Sequence, residues 1–143
     1  MTTQTLELEQ RKELFQLALE AKETSYSPYS KFRVGAALLT QDGTLFKGCN
    51  VENASYGAAI CAERTAFVKA VSEGHLKFSA LAISSDQTEF IAPCGICRQF
   101  VSEFVSKDMP VYFLNKDGEH KEYRFEQLLP LAFGLEQGEK YLS

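Results

Sequence analysis

The stretch Val34-Gly35-Ala36-Ala37-Leu38-Leu39-Thr40-Gln41-Asp42-Gly43-Thr44-Leu45-Phe46-Lys47-Gly48-Cys49-Asn50-Val51 reads as two strands and the turn between them. Val34 to Thr40 and Leu45 to Val51 are largely apolar. Asp42-Gly43 supplies the residues a tight hairpin demands, because glycine accepts a positive φ without steric cost. Upstream, Leu14, Leu17, Ala18 and Ala21 recur at helical spacing, which predicts one amphipathic helix from about Leu8 to Glu23. Ser27-Pro28-Tyr29-Ser30 breaks it. Downstream, Cys61 to Glu73 has good helix formers and an apolar face at Ala62, Ala66, Ala70 and Val71, stopped near Gly74. Phe78 to Ser84 reads as a short strand, and Cys94 to Val105 as a helix through Cys97, Phe100, Val101 and Phe104. Val111 to Leu114 and Glu119 to Arg124 are two further strands around Asn115-Lys116-Asp117-Gly118, with a short helix after them. Helices alternating with strands imply an α/β fold, a mixed sheet covered on both faces. The expectation is a three-layer α/β/α sandwich of about five strands, one domain over residues 1–143.

Bulk properties fit that reading. The chain has 143 residues, 45% hydrophobic and 24% charged, as in a soluble globular protein able to enclose a core. The net charge of −4 and the lack of a Lys/Arg stripe lower the prior for a nucleic-acid partner. No apolar run approaches the roughly 20 residues that span a bilayer, so no membrane partner is expected. Met1 to Gln10 lacks the basic and apolar regions of a signal peptide. Four cysteines without such a signal suit a reducing compartment, where metal ligation or catalysis is their usual use. The expected location is the cytoplasm, with the nucleus also open.

Two segments carry chemistry: Cys61-Ala62-Glu63-Arg64 and Pro93-Cys94-Gly95-Ile96-Cys97-Arg98-Gln99. Each falls at the expected start of a helix, where unpaired N–H groups and the helix dipole favour thiolate over thiol. Three thiolates suit Zn²⁺ and leave its fourth tetrahedral position open, the arrangement of catalytic rather than structural sites. Glu63, two residues after Cys61, is placed to take a proton from a water at that position and pass it to a substrate nitrogen. A Cys-x-Glu followed by Pro-Cys-x-x-Cys resembles the pattern of zinc nucleobase deaminases.

On these motifs the chain resembles the small, homotetrameric cytidine deaminases of pyrimidine salvage. The likeness runs from Tyr26-Ser27-Pro28-Tyr29-Ser30 to Leu128-Leu129-Pro130-Leu131-Ala132-Phe133-Gly134. It passes through Phe32-Arg33-Val34-Gly35-Ala36-Ala37 and Gly48-Cys49-Asn50-Val51-Glu52-Asn53-Ala54-Ser55-Tyr56. The resemblance implies Cys61, Cys94 and Cys97 as zinc ligands and Glu63 as proton shuttle. Asn50 and Glu52 would hold the ribose hydroxyls and Phe32 would pack on the nucleoside. Ala62 and Tyr56 join the substrate contacts, and Phe133 would reach a base in a neighbouring subunit. Arg64 would sit near the thiolates, where a cation offsets their negative charge. The implied reaction is hydrolytic deamination of cytidine and 2′-deoxycytidine, by a homotetramer with sites at subunit interfaces.

Other readings stay open at this point. Cys49 could close the metal site as a fourth ligand, making a zinc-stabilised interaction module, although strand alternation puts it on the face opposite Asn50 and Glu52. The three cysteines could be buried or redox thiols, and Glu63 an ordinary first-turn carboxylate. Asn50, Glu52 and Asn53 could be turn residues. Phe32, Phe133, Tyr29 and Tyr56 could be plain packing aromatics. An editing deaminase for single strands, or one for another small heterocycle, shares the chemistry. His75 and His120 are expected on the exposed surface.

Overall fold

The computed structural model describes residues 6–134. Strands β1 (Val34–Thr40), β2 (Leu45–Cys49), β3 (Phe78–Ser85), β4 (Pro110–Leu114) and β5 (His120–Arg124) form one sheet in the order β2-β1-β3-β4-β5. All neighbours are antiparallel except β3 and β4, which are parallel. A parallel pair needs a crossover, and here the crossover contains α3 (Gly95–Ser102). Helices α1 (Leu8–Ala21), α2 (Ala62–Ser72) and the short α4 (Phe125–Leu128) complete the described elements. The mixed, five-stranded sheet matches the expectation.

Side-chain alternation divides the core into two layers. On one face Leu14 and Ala18 of α1 pack with Ala37, Leu39, Ala80, Ala82, Tyr112 and Leu114. On the other, Ala62, Ala66, Phe67 and Ala70 of α2 and Val101 of α3 pack with Ala36, Leu38, Leu81, Ile83, Val111 and Phe113. Strand β1 is buried on both faces, which is why it reads as a continuous apolar run. Two glycines, Gly35 of β1 and Gly48 of β2, let helices lie close against the sheet. A Cβ on Gly35 would meet the Ala18 carbonyl at 2.5 Å, and one on Gly48 would meet the Ala66 nitrogen at 2.5 Å and the Ala62 carbonyl at 2.7 Å.

Two boundaries and the placement of His75 differ from expectation. Strand β2 stops at Cys49, and Val51 instead makes isolated bridges to Tyr26 and Ile60, because Asn50 turns its side chain into the adjoining loop. Helix α3 ends at Ser102, with Phe104 in a closing turn bonded to the Val101 carbonyl at 2.9 Å. His75 is not a free surface residue. Its side chain is 25% exposed, lies 3.6 Å from Asp42 and stacks edge-on to Phe46, since Gly74 folds it back over the hairpin. His120 is exposed, as expected.

Candidate metal centre and active site

Cys61 is the N-cap of α2 and Cys94 the N-cap of α3, both in extended conformation, and Cys97 follows in the first turn of α3. The two helix starts face one another over the sheet, so residues 33 positions apart come together. Their sulfurs lie within 4.8 Å of one another. Cys61 Sγ and Cys94 Sγ are 3.7 Å apart, close to the roughly 3.8 Å that two ligands at 2.3 Å subtend at a tetrahedral zinc. Both the donor set and its spacing therefore fit Zn²⁺.

The electrostatics fit as well. A hydrogen bond from Cys97, helped by Arg64, holds the Cys61 thiol down to about 5. Cys97 is pushed upward by its bond to Cys61 and by burial. Arg64 donates from Nη2 to Cys61 Sγ at 3.5 Å and to the Ala59 carbonyl at 3.5 Å. Its buried Nε has no partner among the described residues. Glu63, 4% exposed, has its carboxyl raised to about 7, chiefly by burial and further by the charge of Cys61. A carboxyl in that range can both accept and return a proton near neutral pH.

A cavity of about 180 Å³ opens on these groups, lined by Val34, Asn50, Cys61, Ala62, Glu63, Ile83, Ile91, Ala92 and Cys94. The sequence-expected Asn50 and Ala62 are thus beside the sulfurs. Asn50 is also a brace: its Nδ2 donates to the Phe32 carbonyl at 2.8 Å, and its Oδ1 accepts the Val34 N–H at 3.0 Å. Glu52 lies in a separate hollow with Tyr29, Ser30 and Tyr56. There it accepts the Tyr29 and Ser30 N–H groups at 3.0 and 3.1 Å and the Ser30 hydroxyl, which holds its carboxyl below the usual range. Tyr56 is 79% exposed. Phe32 is half-buried and lines neither hollow. Phe133, 64% exposed, lines a larger groove beside α4, not its own chain's sulfur cavity.

Cys49 stands apart. Its sulfur exchanges contacts with Thr24, at 3.4 Å to the carbonyl and 3.8 Å to the hydroxyl, and it is not in the sulfur cluster. The closed four-sulfur site is thereby overturned among the described residues. Sequence reading left Ile83, Ile91 and Ala92 without a role, since only tertiary packing brings them to the cavity. It also gave Arg98 none. Arg98 ties the second motif down, donating to the Pro93 carbonyl at 2.8 Å and the Leu128 carbonyl at 2.7 Å.

Known proteins resemble this chain. Residues 8–113, which include all three clustered cysteines and Glu63, match the family model described as "Cytidine and deoxycytidylate deaminase zinc-binding region". A cytidine deaminase of Sporosarcina psychrophila is 52% identical over 117 residues, 82% of this chain and 86% of that protein. One from Halalkalibacterium halodurans is 47% identical over 126 residues, 88% of this chain and 96% of that protein. The crystal structure of cytidine deaminase from Burkholderia pseudomallei superposes with a TM-score of 0.82 at 45% identity, covering 85% of this chain and 98% of that one. With sulfurs spaced for zinc, a buried carboxyl beside them and this likeness along most of its length, the chain belongs to the cytidine deaminases.

Proposed function

We propose that the chain hydrolyses the exocyclic amine of cytidine and 2′-deoxycytidine, giving the uridine forms and ammonia in pyrimidine salvage. Zinc-dependent cytidine deamination follows from membership of the family; the deoxy substrate, the salvage role and the individual residue roles are this reading. The observation that carries it is the buried Glu63 carboxyl lining one cavity with Cys61 and Cys94.

Cys61, Cys94 and Cys97 hold the zinc, which when bound acts as a Lewis acid and lowers the pKa of a water toward neutrality. Glu63 takes the proton of the attacking water on its carboxylate. It gives that proton to the pyrimidine N3, then takes the second proton from the newly added hydroxyl and passes it to the departing amine. Addition of the water oxygen forms a C4–O bond, and collapse of the resulting tetrahedral adduct breaks the C4–N4 bond, so one water is consumed and one ammonia released. Burial of Glu63 serves both halves of this cycle, because the same carboxyl must be base first and acid afterwards. Arg64 offsets the charge left by three thiolates around a divalent ion. Ala62 and Asn50 face the base and sugar, Glu52 binds a ribose hydroxyl, and Phe32 and Tyr56 supply apolar contact. Phe133 completes the site of a neighbouring subunit in a homotetramer, in keeping with its exposure and its absence from its own cavity.

The protein is read as a single domain over residues 1–143 working in the cytoplasm. Among the described residues no helix is long and apolar enough to cross a membrane. Parallel assays on cytidine, 2′-deoxycytidine and cytidine 5′-phosphate, with mass from light scattering, test the reading. It predicts turnover of both nucleosides, little of the phosphate, and a mass four times that of the chain. Turnover of the phosphate alone, or an active monomer, contradicts it.

A further inference from the structure

We propose that Asp86, gripped by Arg33 and Lys22, is a positioning residue that fixes the backbone around Arg33 and, through it, the Asn50 side chain at the nucleoside cavity. The proposal deepens the functional reading above and rests on it.

Val34 at the start of β1 and Ile83 near the end of β3 both line the cavity. These strands are antiparallel neighbours, with Val34 paired to Ser85. Arg33 and Asp86 lie one residue beyond that pair, where the two strands end. Arg33 reaches across with both prongs of its guanidinium: Nε is 2.6 Å from Asp86 Oδ2 and Nη2 is 3.1 Å from Oδ1. Such a two-bond fork fixes orientation as well as distance. Lys22, just past the end of α1, adds a third anchor, with Nζ 3.2 Å from Asp86 Oδ1 and 3.3 Å from the Ser85 carbonyl. Lys22 is only 8% exposed, so its charge requires that carboxylate.

The grip is transmitted to the cavity through the backbone of Arg33. On one side of it the Phe32 carbonyl, and on the other the Val34 N–H, are bonded to the single side chain of Asn50. Any movement of Arg33 therefore moves Val34 and Asn50, both of which line the cavity. The residues that follow Asp86 have their own support. Asn115 donates to the Thr88 carbonyl at 3.1 Å, and the Gln87 carbonyl accepts the Lys116 N–H at 2.8 Å. Release of Asp86 thus frees the Arg33 segment, and Asn50 with it, while the residues after Asp86 stay in place. Neither Asp86 nor Arg33 lines the cavity or belongs to the sulfur cluster, so their effect falls on binding of substrate rather than on proton transfer.

The test is steady-state kinetics on Asp86→Asn and Arg33→Lys, each with zinc content per chain. Asp86→Asn is expected to raise KM for cytidine about tenfold while kcat stays within about twofold and zinc is unchanged. Arg33→Lys, which keeps the charge but loses the fork, raises KM in the same way by about threefold. Glu23→Gln is the control: Glu23 is a 65% exposed partner of Arg33, and its loss leaves KM as it was. An unchanged KM in both folded variants overturns the proposal, as does a fall in kcat and zinc that accompanies any rise in KM. If Asp86→Asn does not fold, Arg33→Lys alone decides by the same criterion. A wild-type protein that does not turn over cytidine refutes the functional reading instead, and is distinguished by needing no variant.

Discussion

Arg64 sets its Nη2 3.5 Å from the sulfur of Cys61, one helical turn along α2 from the cap position that Cys61 occupies. A guanidinium there would draw charge from the thiolates and so preserve the acidity of a metal held by them. Arg64→Gln is expected to keep zinc near the wild-type content and to lower kcat/KM by about 10- to 100-fold. Metal analysis beside initial rates checks it; full activity would leave Arg64 with a packing role only.

Glu63 stands in the same turn, buried where no surface role is open to it. Glu63→Ala is expected to retain zinc, bind cytidine and lose at least about 10²- to 10⁴-fold in kcat, the span of a general acid–base group. Single-turnover rates with the zinc-loaded variant give the answer directly. Retention of much of the rate would remove Glu63 from the proton path.

Gly48 sets how deeply α2 lies on the sheet, and with it the height of Cys61 and Glu63. A Cβ there would be 2.5 Å from the Ala66 nitrogen and cannot be relieved by a side-chain shift, because its neighbours are helix backbone. Gly48→Ala is expected to destabilise the fold by about 1–3 kcal/mol, the usual cost of overpacking. Gly57→Ala, with nothing within 4 Å of the added carbon, is the matched control and changes little. Urea midpoints of the two variants separate these outcomes.

Asp86 gives the fold an acid sensitivity with a definite sign. Its carboxyl is held below the ordinary range, first by the hydrogen bond from Arg33 and then by Lys22. A depressed folded pKa contributes stability above the unfolded value, and that contribution is lost as pH falls through the folded value. The wild type should therefore lose stability below about pH 4 more steeply than Asp86→Asn. Urea midpoints from neutral pH to about 3 measure it, and parallel curves would contradict it.

Much of this was legible in the chain. The strand β1 has the bounds that its apolar run announces, and both cysteine motifs open helices where propensity placed them. Local rules decide such features, so a single sequence suffices. Asn50 was harder: as a short polar residue near a hairpin end it could be turn or ligand, and the fold makes it a brace that also lines the cavity. Ile83, Ile91 and Ala92 carried no signal at all, since an apolar residue at a cavity looks the same in sequence as one in a core. The Arg33–Asp86 pair spans 53 positions and depends on strand pairing that no local pattern reveals. His75 looked like a surface residue because its contacts come from the hairpin, not from its own element.

The most direct test of the central claim is loss of the ultraviolet absorbance of cytidine on adding purified protein, with zinc counted per chain before and after stripping by a chelator. Turnover with about one zinc per chain, abolished by stripping and restored by Zn²⁺, is the predicted result. A chain that holds zinc yet leaves cytidine untouched, or one that turns it over equally well when stripped, would contradict the account.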